Sequence, residues 1–263
     1  MGVINVTPDS FSDGGRFASP GAGIDLGRIV ESALAMLEEG AAIVDVGGES
    51  TRPGAAAVSE DEESRRVMPV LERLLELDAV VSLDTSKPGL AARALDGGVH
   101  LINDVNGGRD PRMVEAVAAS GAAYCVMHMQ GEPRTMQQDP RYRDVVTEVR
   151  DFLAARVEDC ERSGIPRDRL LVDPGFGFGK TLAHNLALLR ALPALRVEGV
   201  ALLVGMSRKR MIGTITGRDV EDRAVGSAAA ALLAAERGAD LLRVHDVAET
   251  ADALRVLAAL TDG

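Results

Sequence analysis

Arg243 and His245 stand two residues apart in the short run Leu241–His245, and Lys209 follows the preceding apolar run, Ala201–Gly205. If Leu241–His245 is a strand, alternation puts Arg243 and His245 on one face. With Lys209 nearby they would gather positive charge able to hold phosphate oxygens, the arginine through a rigid fork of donors. The alternative is a surface cluster offset by acidic neighbours such as Asp246; the anion site is the favoured reading. Other polar residues close other apolar runs: Asn5, Asp45 with Glu49, Asp84, Asn103, His128, Asp173 and Ser207. Taken singly, Asp and Asn at such places begin loops or cap helices. A set that also includes Lys, Arg and two His asks for more than loop chemistry.

Several motifs fail on spacing. Pro174-Gly-Phe-Gly-Phe-Gly-Lys180-Thr181 resembles a phosphate-binding P-loop, but proline holds the place of the first required glycine. It lacks the G-x-G-x-x-G spacing of a dinucleotide fold as well. Gly205-Met-Ser207-Arg-Lys209 is no nucleophile elbow, since Lys209 replaces the last glycine. The histidines His100, His128, His184 and His245 show no H-E-x-x-H spacing, so a zinc site has little support.

The elements that must position these residues are short apolar runs alternating with amphipathic stretches. The runs are Gly2–Asn5, Ala42–Val46, Val80–Asp84, Leu101–Asp104, Ala123–His128, Leu170–Asp173, Ala201–Gly205 and Leu241–His245. Between them, Leu26, Ile29, Val30, Ala33, Leu34 and Leu37 share a helical face, as do Val67, Val70, Leu71 and Leu74 after the acidic turn Glu60–Glu63. Val149, Leu153, Val157 and Cys160 repeat the spacing, and Arg223–Arg237 is rich in alanine; Gly40, Gly121, Gly164 and Gly238 fall where C-terminal caps belong. Strand–helix alternation predicts a parallel sheet. Eight repeats point to closure into a single-domain α/β TIM (β/α)₈ barrel over residues 1–263, with a doubly wound open sheet as the alternative. In a closed parallel barrel all eight strand tails meet on one face, where active sites of this architecture form.

Composition sets the outer bounds. A chain of 263 residues suits one such barrel, and 3% aromatic content with no tryptophan leaves Val, Leu, Ile and Ala to fill the interior. The net charge of −11 argues against nucleic acid as a partner, because that binding rests on clustered cations. Salt screens the same charge over roughly 8–10 Å, so local cations can still govern an anionic ligand. No stretch approaches a membrane span and no signal peptide is visible, so a cytoplasmic protein is expected. Cys125 lies in an apolar run and Cys160 in a helical pattern, which reads as two buried free thiols.

The ordered motifs carry a resemblance. Asn5-Val-Thr-Pro-Asp-Ser-Phe11-Ser-Asp13-Gly-Gly15 resembles the opening signature of the dihydropteroate synthase family, and Asp45-Val-Gly-Gly-Glu49-Ser-Thr51-Arg52-Pro53-Gly54 its second. Ser82-Leu-Asp84-Thr85, Ile102-Asn103-Asp104, Asp173 to Lys180, Gly205-Met-Ser207-Arg-Lys209-Arg210 and Arg243-Val-His245-Asp246 follow in the family's order, so the match spans essentially the whole chain. The resemblance implies a TIM barrel that displaces pyrophosphate from 6-hydroxymethyl-7,8-dihydropterin pyrophosphate with the amine of p-aminobenzoate. It also implies Mg²⁺ as cofactor and a homodimer, in a family whose members are targets of sulfonamides.

On that resemblance, Asp173, Asn103, Asp84 and Lys209 would bind the pterin, whose adjacent N–H donors suit a carboxylate. Asn5, Arg243 and His245 would hold the pyrophosphate, Asn5 through the metal. Phe11, Thr51, Arg52, Pro53, Phe178 and Ser207 would form the p-aminobenzoate pocket. Asp13, Arg52, Asp84 and Lys209 would be catalytic, with Asp13 and Asp84 steadying a cationic pterin methylene. Two other readings share the pterin edge: a methyltransferase acting on a methyl-folate, and a catalytically silent pterin-binding paralogue. The methyltransferase gives Arg52 and the Ser207–Lys209 segment no task, and the intact Asp13, Arg52, Lys209, Arg243 and His245 argue against the silent paralogue.

Overall fold

Short runs rich in Val, Ile and Leu have no helical period, and side chains on both of their faces are apolar, which suits strands covered on both sides. The computed structural model describes residues 1–7, 25–50, 57–133 and 135–261. Among them are eight strands: β1 (Gly2–Asn5), β2 (Ile43–Gly47), β3 (Val80–Asp84), β4 (Leu101–Asp104), β5 (Ala123–Met127), β6 (Leu170–Asp173), β7 (Ala201–Val204) and β8 (Leu241–Leu242). They pair in sequence order and in parallel throughout. The last segment returns to the first. Gly2 bridges Val244 in parallel, Val3 N donates to Val244 O at 3.1 Å, and Val244 N donates to Met1 O at 2.9 Å.

Helices fill the intervals: α1 (Leu26–Glu38), α2 (Glu60–Leu75), α3 (Pro88–Asp96), α4 (Pro111–Ala119), α5 (Val145–Arg162), α6 (Leu182–Arg190), α7 (Arg210–Thr216), α8 (Ala224–Glu236) and α9 (Val247–Thr261). Their starts follow local chemistry. Ser59 caps α2 by accepting from Glu62 N, Asp144 caps α5, and Thr181 forms a capping box with His184 on α6. Gly40, Gly164 and Gly238 are left-handed just past their helices, as expected, but Gly121 is not. There Ser120 caps α4 in an extended conformation and its hydroxyl bonds Val117 O at 2.8 Å, so a carbonyl of the last turn is satisfied without a glycine turn.

Alternation along the strands separates two cores. Ile102, Val126, Val172 and Leu202 face the helices within the main cluster, whereas Leu101, Cys125, Leu171 and Leu203 form a second cluster on the opposite face. A sheet carrying its own apolar filling on the inner side curls around it. Both cysteines are buried and free, as expected. Among the described residues no helix is long and apolar enough to cross a membrane.

Four strands differ by a residue or more from the expected runs. β2 is shifted by one, β5 stops before His128 and β7 before Gly205. The run expected at Leu241–His245 is a strand only over Leu241–Leu242. Its ladder with β7 ends at Val204–Leu242 while its link to β1 falls at Val244, so Arg243 pairs through one bond, Arg243 N to Val204 O at 2.9 Å. Arg243 and His245 therefore sit beyond the strand rather than on it.

Candidate active site

A charge in the middle of an apolar strand must find partners, because an isolated buried carboxylate is costly. Asp45, fully buried in β2, finds three. Its Oδ1 accepts from Ser82 Oγ at 2.5 Å, and its Oδ2 from Arg243 Nε at 2.6 Å and Asn103 Nδ2 at 3.4 Å. Arg243 also donates through Nη2 to Asp84 Oδ2 at 2.7 Å. Strands β2 and β3 thus meet the tail of β8 through one guanidinium, and β4 joins them through Asp45. Burial works against the Arg243 charge, but Asp45 and Asp84 outweigh it and hold the proton more firmly than usual. Burial pushes the Asp84 carboxyl up to about 7 against the pull of Arg243, with Asp45 adding to the rise.

The neighbouring wall is built from the β6 tail. Asp173 is buried and accepts from Gly175 N at 2.7 Å. Burial raises its pKa, while Lys209 and the Gly175 N–H pull it back. Lys209 donates from Nζ to Phe176 O at 2.6 Å and lies 4.6 Å from the centre of the Phe178 ring, within cation–π range. Its own pKa is lowered to about 8 by burial, with Asp173 opposing. Lys209 is thus a charged donor poised beside a buried acceptor and an aromatic face.

The loop holding Phe176 and Phe178 is shaped by glycine. Gly175 is left-handed (φ 67°), and a Cβ there would fall 1.9 Å from His128 O. That close approach lets Lys180 sit underneath, buried, and bond His128 Nδ1 at 2.9 Å, Gly175 O at 2.9 Å, Phe178 O at 3.0 Å and His128 O at 3.3 Å. Burial lowers the Lys180 pKa to about 7, partly countered by Asp173. Burial and the nearby Lys180 bring His128 down to about 3, so its ring is a neutral acceptor.

Ser207 and His245 form a separate pair. The serine Oγ lies 3.1 Å from both His245 N and His245 Nδ1. At the other side, a Cβ built on Gly47 would lie 3.8 Å from both Asn5 Oδ1 and Asp84 Oδ2, so these two oxygens flank one gap.

Of the expected residues, Asn5, Asp84, Asn103, Asp173, Lys209 and Arg243 are linked around one mouth by bonds, close approach or direct charge interaction. Phe178 joins them through Lys209, and Ser207 stands two residues from that lysine. Phe11, Asp13, Thr51, Arg52 and Pro53 lie outside the described residues. The strand expected beneath Arg243 and His245 ends at Leu242; the buried Asp45 and the half-buried Asp84 take the arginine fork, and His245 Nδ1 lies 3.1 Å from Ser207 Oγ.

Asp45, Ser82, Lys180 and the Lys87 cluster carried no assigned role in the sequence. Lys87 Nζ bonds Glu49 at 2.6 Å and the buried Glu63 at 2.9 Å, and Glu49 Oε1 accepts from Val58 N at 2.9 Å. The signal for Asp45 was an acid inside an otherwise apolar strand. For Lys180 it was alternating glycines ahead of a lysine, a pattern that failed as a P-loop.

Parallel strands ending in buried acids, amides and paired bases make this the site of an α/β enzyme, and the family model described as pterin binding enzyme matches residues 1–245. Dihydropteroate synthase of Escherichia coli K12 is 48% identical over 260 residues, covering 98% of this chain and 90% of that protein. A Yersinia pestis dihydropteroate synthase, solved in a sulfonamide drug complex, superposes with a TM-score of 0.93 at 46% identity, covering 100% of this chain and 94% of that one. The Burkholderia cenocepacia enzyme complexed with 7,8-dihydropteroate gives 0.89 at 46% identity, covering 100% and 91%. The chain belongs to the pterin-binding enzymes and, within them, to the dihydropteroate synthase family.

Proposed function

We propose that the protein joins 6-hydroxymethyl-7,8-dihydropterin pyrophosphate to p-aminobenzoate, releasing pyrophosphate and forming 7,8-dihydropteroate, a folate precursor. The observation that carries the reading is the convergence of buried Asp173 and Asn103 and half-buried Asp84 with Lys209 and Arg243 at neighbouring strand tails. Acidic and amide groups suit the donor-rich edge of a pterin, and the two cations suit its carbonyl and its leaving group.

In this reading Asp173 accepts from the pterin's adjacent N–H groups, Asn103 completes the edge, and Lys209 donates to the ring carbonyl and nitrogen. Arg243 and His245 take the phosphate oxygens, Arg243 exchanging a carboxylate partner for them. The C–O bond breaks with its electron pair leaving on pyrophosphate, where positive charge helps most as the bond lengthens. Asp84 and Asp13 steady the cationic methylene until the p-aminobenzoate nitrogen bonds to it and gives up a proton. Phe178, Ser207, Phe11, Thr51, Arg52 and Pro53 form the p-aminobenzoate slot, and Arg52 belongs with the catalytic groups.

The residues present suit Mg²⁺. Asn5 Oδ1 and Asp84 Oδ2 flank one gap, and this metal takes few protein oxygens and completes its shell with phosphate and water. Among the described residues no three His, Cys, Asp or Glu side chains gather to cage a metal unaided. Asn5 would hold it, and the bound ion would offset charge on the departing pyrophosphate. The reading includes a single-domain (β/α)₈ barrel over 1–263, supported by the Gly2–Val244 bridge, in a cytoplasmic homodimer. Pyrophosphate release that requires both p-aminobenzoate and Mg²⁺ tests the proposal; methyl transfer without such release would overturn it.

A further inference from the structure

Arg208 is the only non-glycine residue with a left-handed backbone among those described, at φ 57°. An L-residue is crowded there, its Cβ too near the following carbonyl. Such a conformation persists only where its surroundings over-determine it, and these sites cluster where function needs them. Arg208 is held at every polar group of its backbone. Its N–H donates to Ser227 Oγ at 2.9 Å, and its carbonyl accepts from Arg223 Nη1 at 3.0 Å. Ser227 Oγ in turn donates to Arg223 O at 2.6 Å. The guanidinium grips the buried Asp246, with Nε on Oδ2 at 3.0 Å and Nη2 on Oδ1.

The residues on either side go to different walls of the mouth. Ser207 bonds His245, the neighbour of Asp246, while Lys209 reaches across to Phe176 O and the Phe178 ring. A right-handed backbone at 208 would rotate the intervening peptides and break one attachment or the other. We propose that Arg208 is a positioning residue, whose left-handed turn, locked by the fork onto Asp246, sets Ser207 toward p-aminobenzoate and Lys209 toward the pterin at once. The inference rests on the proposed condensation reaction.

Glycine and alanine at 208 separate the turn from the fork. Both lose the fork, but glycine enters the left-handed region freely, whereas alanine is depleted in it by roughly five- to thirtyfold. The experiment measures kcat and KM for both substrates by pyrophosphate release, well below the melting temperature, in wild type, Arg208→Gly, Arg208→Ala and Asp246→Asn. Arg208→Gly is expected to keep at least about fivefold more kcat/KM than Arg208→Ala, with KM for both substrates rising together in the alanine variant. Asp246→Asn, which leaves Arg208 in place, is expected to lower kcat/KM for both by about three- to tenfold. A purely structural staple would make the glycine and alanine variants equal. That equality, or an Asp246→Asn enzyme with wild-type constants, overturns the inference alone. A wild type that releases no pyrophosphate overturns the reaction and the inference with it.

Discussion

Replacing Lys180 by methionine keeps the length of a buried side chain and removes its amine. The amine serves the carbonyls of Gly175, Phe178 and His128 and the His128 ring, so at pH 7 the exchange should cost about 1–3 kcal/mol in stranded acceptors. The pH dependence is more telling. In the folded protein Lys180 releases its proton near 7, against 10.5 for an unperturbed lysine. Between those values the unfolded chain holds a proton that the native one lacks, so unfolding takes one up and stability rises with pH. Allowing for half-titration at the start, the interval from pH 7 to pH 9 is worth about 2 kcal/mol. Methionine has no proton to lose, so the wild-type advantage should widen by that amount. Urea unfolding followed by circular dichroism at both pH values measures it, since other titrations cancel between the two proteins. A gap that stays constant or narrows would mean Lys180 keeps its proton inside the fold, and the account of this clasp would be wrong.

Lys209→Ala removes the charged donor proposed for the pterin edge and should lower kcat/KM by roughly ten- to a hundredfold, matching about 1.5–3 kcal/mol; near-normal kinetics reject the role. His245→Ala should weaken binding of pterin pyrophosphate more than of free pterin, and calorimetry showing equal weakening would count against a phosphate contact. Tyr124→Phe deletes the buried bond from Tyr124 OH to Asp104 Oδ2 at 2.7 Å, while Asp104 keeps the N–H groups of Asn106 and Gly108. A loss of about 1–2 kcal/mol and a melting temperature lower by roughly 3–6 °C are expected. An unchanged melting curve refutes it.

The strands could be read because each is a short apolar run ended by a polar residue. Their convergence follows from parallel order, and the same logic gathers Asn5, Asp84, Asn103, Asp173 and Lys209 at one mouth. What the sequence hid was partnership. Nothing local to Arg243 reveals that Asp45, 198 positions away, will take its Nε; that contact exists only once first and last strands adjoin. The apolar run Leu241–His245 likewise does not show that β8 itself is only Leu241–Leu242. The sequence around Lys180 resembles a nucleotide-binding loop only in part, and nothing in it reveals that burial gives the lysine an unrelated task. Gly121 has the position of a cap, and nothing in the sequence distinguishes the nearby serine that does that work from any loop residue.

The glycine-shaped loop after β6 bears on how this pocket can adapt. Any side chain at Gly175 or Gly179 would collide with a main-chain oxygen, of His128 or Gln130, that cannot swing aside as a rotamer can. Escape from a competitive inhibitor by remodelling this wall would therefore dismantle the clasp around Lys180 before it changed the ligand's fit. A compound leaning on the main chain at these two glycines would meet positions that no side chain can occupy without moving the backbone.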